Sequence, residues 1–219
     1  MSRNLNTRPL RWTAALLLAA GSLSACAPLL VGSAVGGALV ATDRRTSGTQ
    51  LEDQTIELKA ANRIRDAIGN QAHVNVTSYN RHVLLSGEVP DDRTRDTAAA
   101  AARQVENVVN VMNELIVAPN SSLSTRSSDV VLAGKVKATL IDARDLMANA
   151  FKVVVERGEV YLMGVVTERE ANRAAELTAT ISGVRRVVKA FQIISEDELA
   201  RRLPPPASNT GSTAPAPAQ

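Results

Sequence analysis

The sequence predicts an α+β protein made of two copies of one unit. Each copy runs α-β-β-α-β, with a small three-stranded mixed sheet and two helices packed on one face. Three observations carry this. Two stretches, His-Val-Leu-Leu-Ser-Gly-Glu-Val (82–89) and Glu-Val-Tyr-Leu-Met-Gly-Val-Val (159–166), alternate apolar residues as strands do and hold a glycine at the same point. Gly87 and Gly164 are 77 residues apart (164 − 87), and that offset lays Val76, Val83, Leu85 and Val89 on Val153, Val160, Leu162 and Val166. Each strand then runs into an alanine-lined helical pattern, after which an offset of 76 (181 − 105) matches Val105, Val108, Val111 and Leu115 to Ile181, Val184, Val187 and Phe191. A solenoid would repeat more often and with a shorter period.

The elements follow in order. In the first unit, residues 50–118, Ile56, Ala60, Ile64 and Ala67/Ile68 recur at helical spacing, and Gly69 can end that helix. Residues 73–79 alternate Val74, Val76 and Ser78 as a strand, and Asn80-Arg81 is a tight turn into the strand 82–89. Pro90, Asp91 and Asp92 open the second helix, where proline and acids suit the first turn. Ala98, Ala101/Ala102 and Val105 are its inner face, and residues 109–117 close the sheet. A strand glycine usually marks a bulge or a close backbone, and Gly87 and Gly164 are read as letting the following helix fold down over the sheet.

Residues 119–125 read as a Ser-rich linker and 126–194 as the second unit. Leu132, Val136 and Leu140 are the inner face of its first helix, and Arg157-Gly158 turns one strand into the next. Ala171, Ala174/Ala175, Thr178 and Ile181 face inward on the next helix, Ser182-Gly183 ends it, and 187–194 closes the sheet. Residues 195–219 are a short helix followed by a Pro- and Ala-rich tail of disordered composition. Each unit is near the lower size limit for a single core, so docking of the two would stabilise both.

The N-terminus reads as a secretory signal over residues 1–25. Arg3, Arg8 and Arg11 form a basic region, and residues 12–20 an apolar run too short to span a bilayer. Leu23-Ser24-Ala25-Cys26, holding the only cysteine, resembles a bacterial lipobox, which implies cleavage before Cys26 and its lipidation. Each buried methylene contributes about 0.8 kcal/mol, so a multiply acylated (palmitate-bearing) cysteine is a stable anchor. Ala27 follows where an aspartate would imply retention in the inner membrane, so the resemblance implies an outer-membrane lipoprotein facing the periplasm. Residues 26–49 then form a lipidated tether, Gly- and Ala-rich before a polar linker. With one cysteine, no disulfide can form within the chain.

Charge separates the units. The whole chain is +3, with 25 basic and 22 acidic residues, but three of the arginines precede Cys26. Nucleic-acid binding usually shows as a strongly basic domain, and this balance gives no reason to expect it. Counted over the two units, the first is acidic by three charges and the second basic by three, so the second suits an anionic surface better.

Catalytic and metal patterns are not legible. His73 and His82 have no cysteine and no neighbouring acid at ligand spacing, and read as strand-end surface residues. Ser86 and Ser182 lack a base partner, Glu168 and Glu170 suit a helix N-terminus, and Gly32–Gly37 has no lysine to make a phosphate loop. The expectation is a non-enzyme with no cofactor and no metal.

The strand glycines, the alanine-lined helices, and Val-Glu-Asn-Val-Val-Asn-Val (105–111) or Ile-Ser-Gly-Val-Arg-Arg-Val (181–187) resemble BON domains. Two of them behind a lipobox resemble the dual-BON outer-membrane lipoproteins of Gram-negative bacteria. Residues 161–171, Asp43, Gly48-Thr49-Gln50 and Asn75-Val76-Thr77 fit the same pattern, so the resemblance spans roughly residues 24–194. It implies a non-catalytic envelope protein that binds anionic phospholipid through its second domain, concentrates at the division site and supports outer-membrane integrity. The lipid contact it implies is the helix 129–141 with nearby loops: Val131, Leu132, Lys135, Lys137 and Arg144. Val131 stands where the family tends to carry an aromatic. The competing expectation is a scaffold that binds outer-membrane assembly, division-site or peptidoglycan-remodelling proteins without reading lipid.

Overall fold

The computed structural model describes residues 43–202. Cys26, the signal 1–25, the tether up to residue 42 and the tail from 203 lie outside the described residues. In chain order the elements are α1 (Ser47–Ile68), β1 (His73–Tyr79), β2 (His82–Val89), α2 (Asp92–Arg103), β3 (Asn110–Val117), α3 (Leu123–Asp142), β4 (Phe151–Glu156), β5 (Glu159–Val166), α4 (Glu168–Ala179), β6 (Arg186–Ile193) and α5 (Glu196–Arg202), with a short 3₁₀ turn Ala148–Ala150 before β4. Each unit is the expected α-β-β-α-β, with its central strand antiparallel to the first and parallel to the third. Both turns are tight because two successive residues adopt positive φ: Asn80 and Arg81 at 50° and 65°, Arg157 and Gly158 at 52° and 77°.

Both leading helices begin earlier than the sequence reading placed them. The Thr46 and Ser122 hydroxyls cap α1 and α3, each accepting from the N–H three residues on at 3.1 Å. The residues read as linker that follow these caps, 47–49 and 123–125, therefore belong to the helices. Pro90 also differs from expectation. It precedes the cap, and Asp91 accepts the Thr94 N–H.

The strand glycines serve a neighbouring strand rather than the following helix. A Cβ on Gly87 or Gly164 would come within 3.0 Å of a carbonyl oxygen, that of His73 at the start of β1 or that of Ala150 just before β4. The structural position is the same in both units, and only glycine lets the backbones pass there.

Each sheet uses its two faces differently. Val83, Leu85 and Val89 pack against Ile56, Ala60, Ile64 and the alanines of α2. Val160, Leu162 and Val166 do the same against Val136, Leu140, Ala171 and Ala174. The opposite faces meet each other: Tyr79 and Leu84 from the first unit pack on Tyr161, Met163 and Val165 of the second. Both central strands are thus buried on both sides. The sequence left this docking open.

Ion pairs cross the same junction. Lys152 Nζ donates to Glu57 at 2.7 Å and to the Ser78 carbonyl at 3.1 Å. Arg186 bridges Glu114 and Glu159 at 2.9 and 2.6 Å. Arg157 lies 3.4 Å from Glu88. Ahead of α1, Arg44 reaches into the second unit and donates to Glu170 at 2.7 and 2.8 Å and to the Val165 carbonyl at 2.8 Å. Much of the opposite charge of the two units is therefore consumed in holding them together. The second unit offers less positive charge to an outside surface than its total suggests.

Candidate functional site

The site candidate is the outer side of α3 and the groove beside it. Leu132, Val136 and Leu140 point inward, so this helix is anchored by one stripe. On its far side Leu123, Val130, Gly134 and Ile141 recur at steps of seven and four residues, which places them in one line along the helix. Leu123, Val130 and Ile141 are 81%, 73% and 69% exposed, and Val131 beside them is 60% exposed. A solvated helix normally puts charge at such positions.

Cations flank the apolar line. Lys135 and Lys137 are exposed, and neither they nor Arg144 enters an ion pair among the described residues. Of the two acids on this helix, Asp142 is exposed at its last position, and Asp129 is buried, its carboxylate accepting the Arg157 and Gly158 N–H groups, both at 2.8 Å. The Asp129 carboxylate thus closes the β4–β5 turn against α3, and the middle of the outward side, at Lys135 and Lys137, keeps its positive charge.

The counterpart in the first unit is built differently. Asp53 accepts the Asn80 and Arg81 N–H groups at 2.8 and 2.7 Å, and also takes the Ser78 hydroxyl and the Arg45 guanidinium. Burial alone would raise its pKa, but these four donors outweigh it and hold the carboxyl below the usual range. Arg45 also lies 4.0 Å over the Tyr79 ring. Ser121 stands where Arg45 does one repeat earlier, and the corresponding corner of the second unit holds a groove of about 560 Å³. Val131, Leu132 and Lys135 line one wall of it, and Arg157, Gly158 and Gly183 the other. The outer side of α1 also differs, since the line of exposed Leu51 and Leu58 there continues to the charged Arg65.

The five residues expected at the lipid contact are not one patch. Val131 and Lys135 share the groove. Leu132 is only 6% exposed and forms the groove floor, so it acts mainly as core. Lys137 lies on the other flank of α3, in a second cleft with Asp43, Ile141 and Phe151, because residues two apart do not share a helix face. Arg144 follows the end of α3, roughly 20 Å along the helix from Val131. Sequence reasoning missed Asp129 and Arg157. The signal available was an aspartate in the same turn of both leading helices, Asp53 and Asp129, paired with a positive-φ turn in each unit.

His73 departs from the surface position expected of it. Its Nδ1 lies 2.9 Å from Glu88 at the junction of the units, and Glu88 is fully buried. Among the described residues no helix is long and apolar enough to cross a membrane.

The BON domain pattern matches residues 52–119 and 128–195, one match on each unit. The chain belongs to the BON domain family. It is 43% identical over 188 residues to the outer membrane lipoprotein DolP of Haemophilus influenzae, covering 85% of this chain and 97% of that protein. It is 31% identical over 154 residues to a 21 kDa hemolysin of Actinobacillus pleuropneumoniae, covering 69% and 79%. With the osmotically-inducible protein Y of Escherichia coli K12 it shares 28% over 145 residues, covering 64% and 72%. The chain is thus a dual-BON lipoprotein of the outer membrane, held there by a lipid anchor. These relatives carry names of lipoprotein, hemolysin and osmotic-response proteins, none of them an enzyme's name.

Proposed function

We propose that the second BON domain lays α3 on an anionic phospholipid surface and so supports outer-membrane integrity, with division sites the membrane region it serves. The observation that carries this reading is the outward apolar line Leu123, Val130, Ile141 with Val131, flanked by the unpaired Lys135 and Lys137. Magnitudes decide which feature does more. An apolar side chain fully removed from water contributes about 1.5–3 kcal/mol. A basic residue near an anionic surface adds about 1 kcal/mol. The apolar line therefore supplies most of the affinity, and the lysines select negative headgroups. The lipid anchor keeps the domain close to the membrane, so each contact can be weak and still be occupied.

The test is sedimentation of a soluble form beginning after Cys26 with phosphatidylglycerol-containing vesicles and with purely zwitterionic ones. The intact protein should sediment only with the former. Val130→Ser/Ile141→Ser and Lys135→Glu/Lys137→Glu should each lose binding while keeping the circular dichroism spectrum, because all four side chains are exposed. No sedimentation of the intact form at low salt would remove direct lipid recognition. The outer-membrane assembly or division-site proteins of the scaffold reading would then be the ligands to seek.

A further inference from the structure

Where β1 and β2 of the first domain meet β4 of the second, three side chains with metal-ligand chemistry converge. His73, Glu88 and Glu156 each bring a donor atom, a ring nitrogen or a carboxylate oxygen, and these atoms all lie within 4.8 Å of one another. They are 73, 88 and 156 in sequence, so only the docking of the two domains assembles them. His73 and Glu88 are cross-strand partners and Glu156 arrives from the opposite sheet. Glu88 is fully buried, Glu156 is 8% exposed and the His73 side chain 19%.

The neighbours orient the carboxylates and leave negative charge over. Asn75 Nδ2 donates to Glu156 Oε1, and Arg157, itself about one-third exposed, reaches Glu88 only at 3.4 Å. Burial pushes the Glu156 carboxyl up, and the facing carboxylates Glu88 and Asp129 push it the same way against the Asn75 hydrogen bond and His73. Burial would raise Glu88 too, but the His73 contact, the Ser121 N–H and Arg157 hold it low. Two buried carboxylates whose oxygens lie within 4.8 Å of each other thus have a single guanidinium nearby, 3.4 Å from Glu88. On the same sheet face, two residues from Glu88 and directly across from Asn75, the Ser86 hydroxyl is buried with no hydrogen-bond partner. The space is therefore polar beyond the groups that satisfy each other.

We propose that His73, Glu88 and Glu156 form a divalent-cation site of zinc type that links the two BON domains. One imidazole nitrogen with two carboxylate oxygens is a donor set that suits a borderline cation such as Zn²⁺, with water completing the shell. Bonds of about 2.0–2.2 Å put tetrahedral donors roughly 3.4 Å apart, within reach of small side-chain rotations here. Asn75 and Arg157 act as the outer groups that hold the ligating carboxylates. Because the ligands come from both domains, the bound ion stabilises the docked state over the undocked one.

The lipidated protein in detergent, stripped with chelator, is titrated with zinc chloride by calorimetry, and its thermal unfolding is followed with and without zinc. A single saturable site and a raised unfolding temperature are expected. His73→Gln and Glu156→Gln should each weaken zinc binding at least tenfold, since changes even to outer groups cost about 10–100-fold. Both should also lose the zinc-dependent shift. Glu156→Gln keeps the side-chain shape and a polar partner for Asn75, so the zinc-free variant should unfold at or above the wild-type temperature. No saturable heat up to millimolar zinc overturns the proposal. So does zinc affinity that is unchanged in both variants.

Discussion

Replacing Arg44 by alanine should loosen the two domains from each other more than any exposed substitution does. The Arg44 and Glu170 side chains are 3% and 5% exposed, so neither charge is solvated. Arg44 supplies three hydrogen bonds: two to the Glu170 carboxylate and one to the Val165 carbonyl at the end of β5. Glu170 Oε2 retains the Thr167 N–H of its own helix cap, but Oε1 is left with no donor. Breaking a buried pair from one side costs about 3–5 kcal/mol. At about 2–4 °C per kcal/mol for a body of this size, the unfolding temperature should fall by roughly 6–20 °C. The assay is thermal and urea unfolding of Arg44→Ala, Glu170→Gln and Arg44→Met/Glu170→Gln. The paired replacement should recover at least half of the summed single losses, because it leaves no unpaired buried charge. A single-site loss under about 1 kcal/mol, or strictly additive losses, would refute the reasoning. The same pair sets a pH dependence. Burial would raise the Glu170 carboxyl, but Arg44 and the Thr167 N–H outweigh it and hold it below its usual 4.5. A lowered folded-state pKa contributes stability above the ordinary carboxylate pKa. That stability is lost as pH falls below 4.5 through the folded value, and Glu170→Gln should flatten that part of the acid limb.

Two further substitutions probe the repeat and the groove. Gly164→Ala drives a methyl group into the Ala150 carbonyl and should cost at least the roughly 1–3 kcal/mol of an overpacked core, read as a lower urea midpoint; unchanged stability would show that the strands can separate there. Asp129→Ala strips the acceptor from two turn N–H groups and should cost about 1–3 kcal/mol, with hydrogen exchange accelerating first at Arg157 and Gly158; protection unchanged at both would show that the turn holds itself.

The fold was legible where local chemistry and the repeat agreed. Alternation marked β2 and β5, the turn residues marked both hairpins, and small inner residues marked α2 and α4. The helix starts were not, because Thr46 and Ser122 sit in polar stretches that read as linkers until their hydroxyls are seen capping. Docking left a trace that alternation obscured. Tyr161, Met163 and Val165 are apolar on the face that the strand period assigns away from its own helices. The candidate site was half legible. A helix period separates Leu132 and Lys137 from Val131 and Lys135, and a count of charges does not. Nor could the surplus of three positive charges reveal that Lys152, Arg157 and Arg186 face acids of the first domain. The groove's far wall comes from a turn and a loop distant in sequence, which periodicity cannot bring together.

The unequal outer faces of the two central strands impose an order on the chain's birth. Domains form from the N-terminal end as a chain is made. The first sheet must therefore wait uncovered, and its outer face carries Ser86 and Glu88 beside Leu84, side chains that water tolerates. The second sheet brings Tyr161, Met163 and Val165, a face prone to stick to other chains, and it arrives when its cover already exists. In the reverse arrangement the adhesive face would stand naked while half the protein was still being synthesised.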